Sequence, residues 1–189
     1  MSLLATSMSK RCWQRARLQM KTLKLWLMKL LRTGGLETKI VCYVEIVIDS
    51  NILFSALLKA DGRLAEIILN PAFQLSKHTC YFLYIEIFKY KDRILKFSKL
   101  DEEDLLDVLY RMVRQINFIN EDSISNEIWQ QALQLTESID TKDTAFVALA
   151  LSLNATLWTG DRKLLVGLQA KGFEQVIDTN TLLSRLKTH

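Results

Sequence analysis

Residues 144–153, Thr-Ala-Phe-Val-Ala-Leu-Ala-Leu-Ser-Leu, constrain this chain more than any other stretch. Ten positions without a charge or a breaker predict a helix, and a helix that is apolar on nearly every side has to be buried. Acids stand at its head, in Ser-Ile-Asp140-Thr-Lys-Asp143. Beyond it, Leu157-Trp158 reads as a short core strand that stops abruptly in Thr159-Gly160-Asp161. Ligands of open parallel sheets bind at the carboxyl ends of strands. These carboxylates are therefore better placed for chemistry than for solubility.

The same alternation recurs along the chain. Residues 40–48, Ile-Val-Cys-Tyr-Val-Glu-Ile-Val-Ile, are β-branched and almost continuously apolar, the pattern of a strand buried on both faces of a parallel sheet. They run into Asp49-Ser50-Asn51, after which residues 52–58 are helical in character. Asp49 thus repeats the placement of Asp161, a carboxylate where a core strand stops. Taken alone it reads as a helix N-cap, shared with Ser50 and Asn51. Residues 62–69 predict a helix stopped by Asn70-Pro71, and residues 73–75 predict a second strand.

A helix then spans 81 to about 96, in which Glu86 is the single charge of an apolar and aromatic run. It shares a face with Phe82, Leu83 and Tyr90, where an unpaired carboxylate is costly. Lys89 or a neighbouring Arg could answer it at the surface, or a metal ion could. Asp101-Glu-Glu-Asp104 opens a helix to about residue 115, its acids complementing the helix dipole. Residues 117–119 predict a third strand, and Ser123 or Ser125 caps a helix to about 137. Residues 162–170 predict a helix closed by Lys171-Gly172, followed by a strand at 175–177 and a helix at 179–186. Strands alternating with helices imply βαβ units. The expected fold class is α/β: a three-layer α/β/α sandwich about a largely parallel central sheet.

A chain of 189 residues suits one domain, but its charge is uneven. Nine of the 25 basic residues and one of the 21 acids fall in residues 1–39, so that segment carries +8 and the remainder −4. Residues 1–39 predict a basic extension upstream of the domain at 40–189, poorly ordered or a short helix, ending near Thr33-Gly34-Gly35. Leu23, Trp26, Leu27, Leu30 and Leu31, interleaved with Lys and Arg, could make it amphipathic and suited to a membrane surface or nucleic acid. Its Arg-rich, acid-poor character is also that of a transit peptide. Cys12, Cys42 and Cys80 form no spaced pair, which argues against disulfides and zinc and fits a reducing cytoplasm. No apolar stretch is long enough to span a membrane, and no secretory signal is evident.

Four acids stand out by position: Asp49, Glu86, Asp143 and Asp161, with Asp140 a fifth. Each has a plainer role, as a helix cap, a first-turn acid or, for Glu86, the partner of Lys89 or a neighbouring Arg at the surface. Carboxylates converging at one sheet edge, however, repel one another unless a cation neutralises them. The candidates are all oxygen donors, while the only two histidines are His78 and His189. That donor set suits Mg²⁺ or Mn²⁺ and not zinc. Such ions can activate water and stabilise the leaving oxygen of a phosphodiester.

In order and spacing these features resemble the PIN-domain nucleases. The match comprises the apolar strand ending in Asp49-Ser50-Asn51, the isolated Glu86, Asp140-x-x-Asp143 before an Ala/Leu-rich helix, and Trp158-Thr-Gly-Asp161-x-x-Leu164. It covers about residues 40–185 and leaves 1–39 outside. The resemblance implies a metal-dependent endoribonuclease hydrolysing RNA phosphodiester bonds, commonly the toxin of a bacterial toxin–antitoxin pair. Asp49, Glu86, Asp143 and Asp161 would bind Mg²⁺ or Mn²⁺, supported by Asn51 and Thr159, with Asp140 a further ligand that the whole family does not share. Glu86 would be a ligand or would orient the attacking water.

No side chain is an obvious nucleophile, so water activated on the ion is expected to attack. Lys142, Arg162 and Lys163 flank the acids and would hold phosphates without reading sequence, or serve as solvated helix-end charges. A body of net −4 repels nucleic acid, so metal ions or the basic N-terminus must offset it. The partners to expect are RNA, an antitoxin protein and a second copy of the chain. Two other readings keep the acids but change their use. One is a catalytically inactive PIN-like module acting through protein contacts. The other is a phosphotransferase with Asp49 as covalent nucleophile, although Asn51 stands where a second acid is expected. No Gly-rich phosphate loop is present.

Overall fold

In the computed structural model, which describes residues 44–187, the first strand is β1, Val44–Ile48. The basic segment 1–39, Cys12, Cys42, positions 40–43 of the predicted first strand and His189 lie outside the described residues. Ile46, Val47 and Ile48 are each 0% exposed, so burial on both faces holds for the end of β1, while Val44 and Glu45 are exposed. Ile46 and Ile48 project to one side and Val47 to the other, as the two-residue period of a strand requires.

The chain continues through α1 (Ser50–Leu58), α2 (Arg63–Leu69), β2 (Leu75–Cys80), α3 (Phe82–Ser98), α4 (Glu102–Val113) and β3 (Asn117–Ile119). Then follow α5 (Asn126–Thr136), α6 (Thr144–Leu153), β4 (Thr156–Trp158), α7 (Arg162–Ala170), β5 (Val176–Ile177) and α8 (Thr179–Lys187). The strands order as β3-β2-β1-β4-β5 and every neighbouring pair is parallel, with Val47 facing His78 on one side and Leu157 on the other.

Two hydrophobic cores result, one on each face. Ile46, Ile48, Trp158 and Ile177 pack against residues of α1, α2, α3, α4 and α8. Val47, Leu157 and Val176 pack against α5, α6 and α7. This is the expected α/β/α sandwich. The stretch at 144–150 is buried throughout, so the first two turns of α6 are enclosed on all sides, while Ser152 in its last turn is exposed. Its head is tied to α5 by a 2.6 Å hydrogen bond between the buried hydroxyls of Thr136 and Thr144. Among the described residues no helix is long and apolar enough to cross a membrane.

The second strand corrects the sequence reading. Of residues 73–75 only Leu75 is in a strand: Pro71–Phe73 forms a 3₁₀ turn, Gln74 adopts a left-handed φ of 50°, and β2 runs from Leu75 to Cys80. Its sequence, Leu-Ser-Lys-His-Thr-Cys, is poor in strand-forming residues. Pairing on both edges overrides that local preference. Some of its polar groups find partners within the sheet: Thr79 Oγ1 donates to the Ile48 carbonyl at 3.0 Å, and His78 Nε2 meets Ser76 Oγ at 3.0 Å and Glu45 Oε2 at 2.5 Å.

Candidate active site

β1 and β4 lie side by side, yet the chain leaves them toward opposite faces. β1 leads into α1 on one face and β4 into α7 on the other. Divergent connections open a crevice at the carboxyl ends of the two strands, the usual binding position in a doubly wound sheet. Asp49 follows β1 and Thr159-Gly160-Asp161 follows β4, so both face this crevice from the sheet.

Asp49 is fully buried and N-caps α1. Its Oδ1 accepts from Ser50 Oγ at 3.3 Å and from Asn51 N at 3.4 Å. Its Oδ2 accepts from Asn51 Nδ2 at 3.2 Å and from Thr159 Oγ1 at 2.6 Å. Burial raises the carboxyl above its ordinary value, and these hydrogen bonds oppose the rise. The capping reading is thus correct as geometry. Thr159 Oγ1 also accepts from the Asp161 backbone N–H at 3.0 Å, so one buried hydroxyl links the two strand-end acids. Asp161 caps α7 through Oδ1, which accepts from Lys163 N at 2.7 Å and Leu164 N at 3.1 Å.

Asp143 heads α6 and is only 8% exposed. Its carboxyl is pushed up to about 7, first by burial and then by the charges of Asp49, Asp140, Asp161 and Glu86. All five candidate acids are therefore electrostatic neighbours. Asp140 is exposed and turns the chain into the 3₁₀ segment Thr141–Asp143 by accepting from Lys142 N at 3.0 Å.

Glu86 enters from α3. Its Oε2 is buried and has no hydrogen-bond partner among the described residues. Burial is the main cause raising its carboxyl; a hydrogen bond from Ser50 lowers it, Asp49 raises it further, and Lys89 and Lys142 lower it. Neither lysine forms a close ion pair with it among the described residues, so the surface partner considered from sequence is only a distant one.

A cleft of about 380 Å³ lies over this group, lined by Ser50, Asn51, Glu86, Asp140, Asp143 and Asp161, with Lys142 beside them. Asp49 and Thr159 do not line it; they lie behind Ser50 and Asn51. Arg162 and Lys163 do not line it either, and Lys163 Nζ instead donates to the Ile139 carbonyl at 3.0 Å. Among the described residues, no group of three or more His, Cys, Asp or Glu side chains is arranged to hold a metal ion. The donor chemistry nevertheless suits a hard divalent cation: every acid offers oxygen, Glu86 Oε2 lacks a partner, and mutual repulsion helps to raise Asp143. A cation would draw the carboxylates closer than they stand.

Sequence reasoning left Ser50 as a capping companion, whereas its hydroxyl bonds Asp49 and contacts Glu86. The only sequence sign was a hydroxyl directly after a strand-end acid. The outer wall, with Tyr90 and Arg93, was also missed as part of the site. Those residues stand four and seven positions after Glu86, on the same helical face.

A family model described as the PIN domain matches residues 47–186. Among solved structures, PAE2754 from Pyrobaculum aerophilum is similar at 17% identity with a TM-score of 0.56, over 83% of this chain and 99% of that one. VapBC2 from Rickettsia felis, bound to a DNA fragment from their promoter, is similar at 15% identity with a TM-score of 0.50, over 71% of this chain and 97% of that one. At such identities the likeness is one of fold. No curated protein matches the sequence.

Proposed function

Because this chain belongs to the PIN-domain family, we propose that it is a metal-dependent endoribonuclease whose reaction takes place in the carboxylate cleft between β1 and β4. The observation that carries this reading is the convergence of Glu86, Asp140, Asp143 and Asp161 on one cleft, where a buried Glu86 oxygen has no hydrogen-bond partner among the described residues. Residues 40–189 form the catalytic body in this reading and residues 1–39 an extension to it.

Glu86, Asp143 and Asp161, with Asp140 at the rim, would hold Mg²⁺ or Mn²⁺, and Asp49 would complete the set from behind. When bound, the ion supplies positive charge for the phosphate and lowers the pKa of water. The chain's own groups do the rest. Thr159 keeps Asp49 and the Asp161 backbone in register through one hydroxyl. The Asn51 amide fixes the other side of the Asp49 carboxylate. Glu86 Oε2, free of other partners and made more basic by burial, can accept a proton from the attacking water. Lys142, beside the acids, can pair with a non-bridging phosphate oxygen.

The likeness to VapBC2 supports an antitoxin protein as partner, and a second copy of the chain is a further candidate. The buried free thiol of Cys80 accords with work in a reducing cytoplasm. The phosphotransferase reading lacks its second acid, because Asn51 stands two residues after Asp49 and its amide is spent on the Asp49 carboxylate. The inactive protein-binding module is the second reading, and a tight protein partner without RNA cleavage would favour it.

The test incubates the full chain with single-stranded RNA in Mn²⁺, Mg²⁺ or EDTA. Cleavage in metal and none in EDTA is the expected result. Intact RNA in both metals, with the protein folded, would overturn the proposal and leave the binding module.

A further inference from the structure

The cleft is larger than its acids require. Its volume of about 380 Å³ would hold roughly a dozen waters at about 30 Å³ each, and it falls within the ~300–1,000 Å³ usual for organic ligands. The half away from the acids has a different chemistry. Phe54 and Leu58 of α1 and Tyr90 and Ile94 of α3 form an apolar wall, and Arg93 stands with them. Phe54 and Tyr90 meet edge to face, with ring centroids 5.5 Å apart, which fixes the Tyr90 ring from one side. Lys89 Nζ lies 5.4 Å from the Tyr90 ring centroid. Tyr90 thus carries an exposed ammonium over its ring, and the exposed Arg93 lines the same acidic cleft.

Arg93 forms no ion pair among the described residues. The backbone of Arg93, seven residues after Glu86 on α3, lies about 10 Å farther along the helix, at ~1.5 Å of rise per residue. A cation-holding site needs none of this wall. A polyanion with flat bases uses all of it, because proteins grip single-stranded nucleic acid by stacking bases on aromatic rings and pairing phosphates with Arg or Lys.

We propose that Tyr90, backed by Phe54, and Arg93 form a subsite for one unpaired nucleotide next to the scissile phosphate. The base lies against the Tyr90 wall and its phosphate pairs with Arg93. The inference rests on the nuclease reading for the identity of the strand, and it adds that the strand must be single. A base held in a duplex stack cannot reach this wall. Tyr90 and Arg93 are positioning residues, so their effect falls on binding and KM and not on the chemical step.

The experiment measures anisotropy of a fluorescein-labelled short RNA of mixed sequence, single or annealed to its complement, with the full chain in EDTA. Tyr90→Ala weakens single-strand binding about tenfold, the scale of losing one base stack, while Tyr90→Phe keeps it. Tyr90→Leu, which preserves apolar packing, weakens it as Tyr90→Ala does. Arg93→Gln reduces the slope of log Kd against log salt by about 0.7, one single-strand phosphate contact. Duplex binding does not respond to Tyr90. Equal binding by wild type, Tyr90→Leu and Arg93→Gln, or no single-strand binding by the wild type, overturns the subsite. Cleavage in Mn²⁺ is scored separately on the same proteins. A wild type that binds in this manner without cleaving sinks the nuclease reading and leaves the subsite standing. In a protein that cleaves, Tyr90→Leu raises KM with kcat nearly unchanged.

Discussion

Raising the pH of the metal-free protein should make it less stable, the reverse of what salt-bridged carboxylates do. The Asp143 carboxyl moves from an ordinary 3.8 to about 7 in the fold. Between those values the folded chain holds a proton that the unfolded chain has released, so stability falls as pH rises through this window and levels off above about 7. At about 1.4 kcal/mol per pH unit the full displacement is worth roughly 4 kcal/mol. The side chain borders a water-filled cleft, and screening reduces that to about 2 kcal/mol. Asp49 and Glu86 are raised as well and act in the same direction. Asp178, the depressed partly buried acid, acts only below the ordinary carboxylate range and does not compete. Each kcal/mol moves the melting temperature by about 2–4 °C in a chain of this size. About two of the three pH units of that displacement lie above pH 5, so melts of the full chain in EDTA should fall by roughly 3–5 °C between about pH 5 and pH 8. Asp143→Asn should flatten that slope and melt higher than wild type at about pH 8. Millimolar Mn²⁺ should recover the wild type and not the variant. A melting temperature that rises from pH 5 to pH 8 in EDTA, or an equal slope in Asp143→Asn, would refute the electrostatic account of the cleft.

Other substitutions separate the site from its scaffold. Thr159→Val removes a buried donor to Asp49 and a buried acceptor from Asp161; it should cost about 2–4 kcal/mol in urea denaturation and lower cleavage, with Thr159→Ser retaining most of both. Glu86→Gln replaces the partnerless carboxylate; cleavage should drop about a hundredfold or more while the melting temperature in EDTA stays level or rises. Thr179→Ala leaves the buried Trp158 indole N–H without its 3.1 Å acceptor; circular dichroism melts should register about 1–2 kcal/mol, with cleavage per folded molecule unchanged.

Much of this architecture was legible because burial leaves marks in the sequence. Residues 144–153 could not be placed anywhere but inside, and the first two turns of α6 are enclosed. Asp49 and Asp161 were legible because a carboxylate ending a core strand sits at the ligand edge of a parallel sheet. Glu86 stood out as one charge in an apolar run, and its Oε2 is indeed buried without a partner. What was not legible depends on pairing in three dimensions. Leu-Ser-Lys-His-Thr-Cys becomes β2 only because β1 and β3 flank it. Nothing in the chain announced that Asp49 lies behind Ser50 and Asn51, or that the Lys163 ammonium is used on the Ile139 carbonyl. The Tyr90–Arg93 wall follows the Glu86 helical face, but only the packing of α1 against α3 supplies Phe54 and turns that face into a cleft.

The most direct measurement compares single-turnover cleavage of one end-labelled single-stranded RNA by wild type, Asp49→Asn and Asp143→Asn, purified identically and assayed in Mn²⁺. The account predicts cleavage by the wild type and a loss of a hundredfold or more in both variants, each with a folded melting profile. Equal cleavage by all three proteins would place the activity outside this cleft and contradict the account.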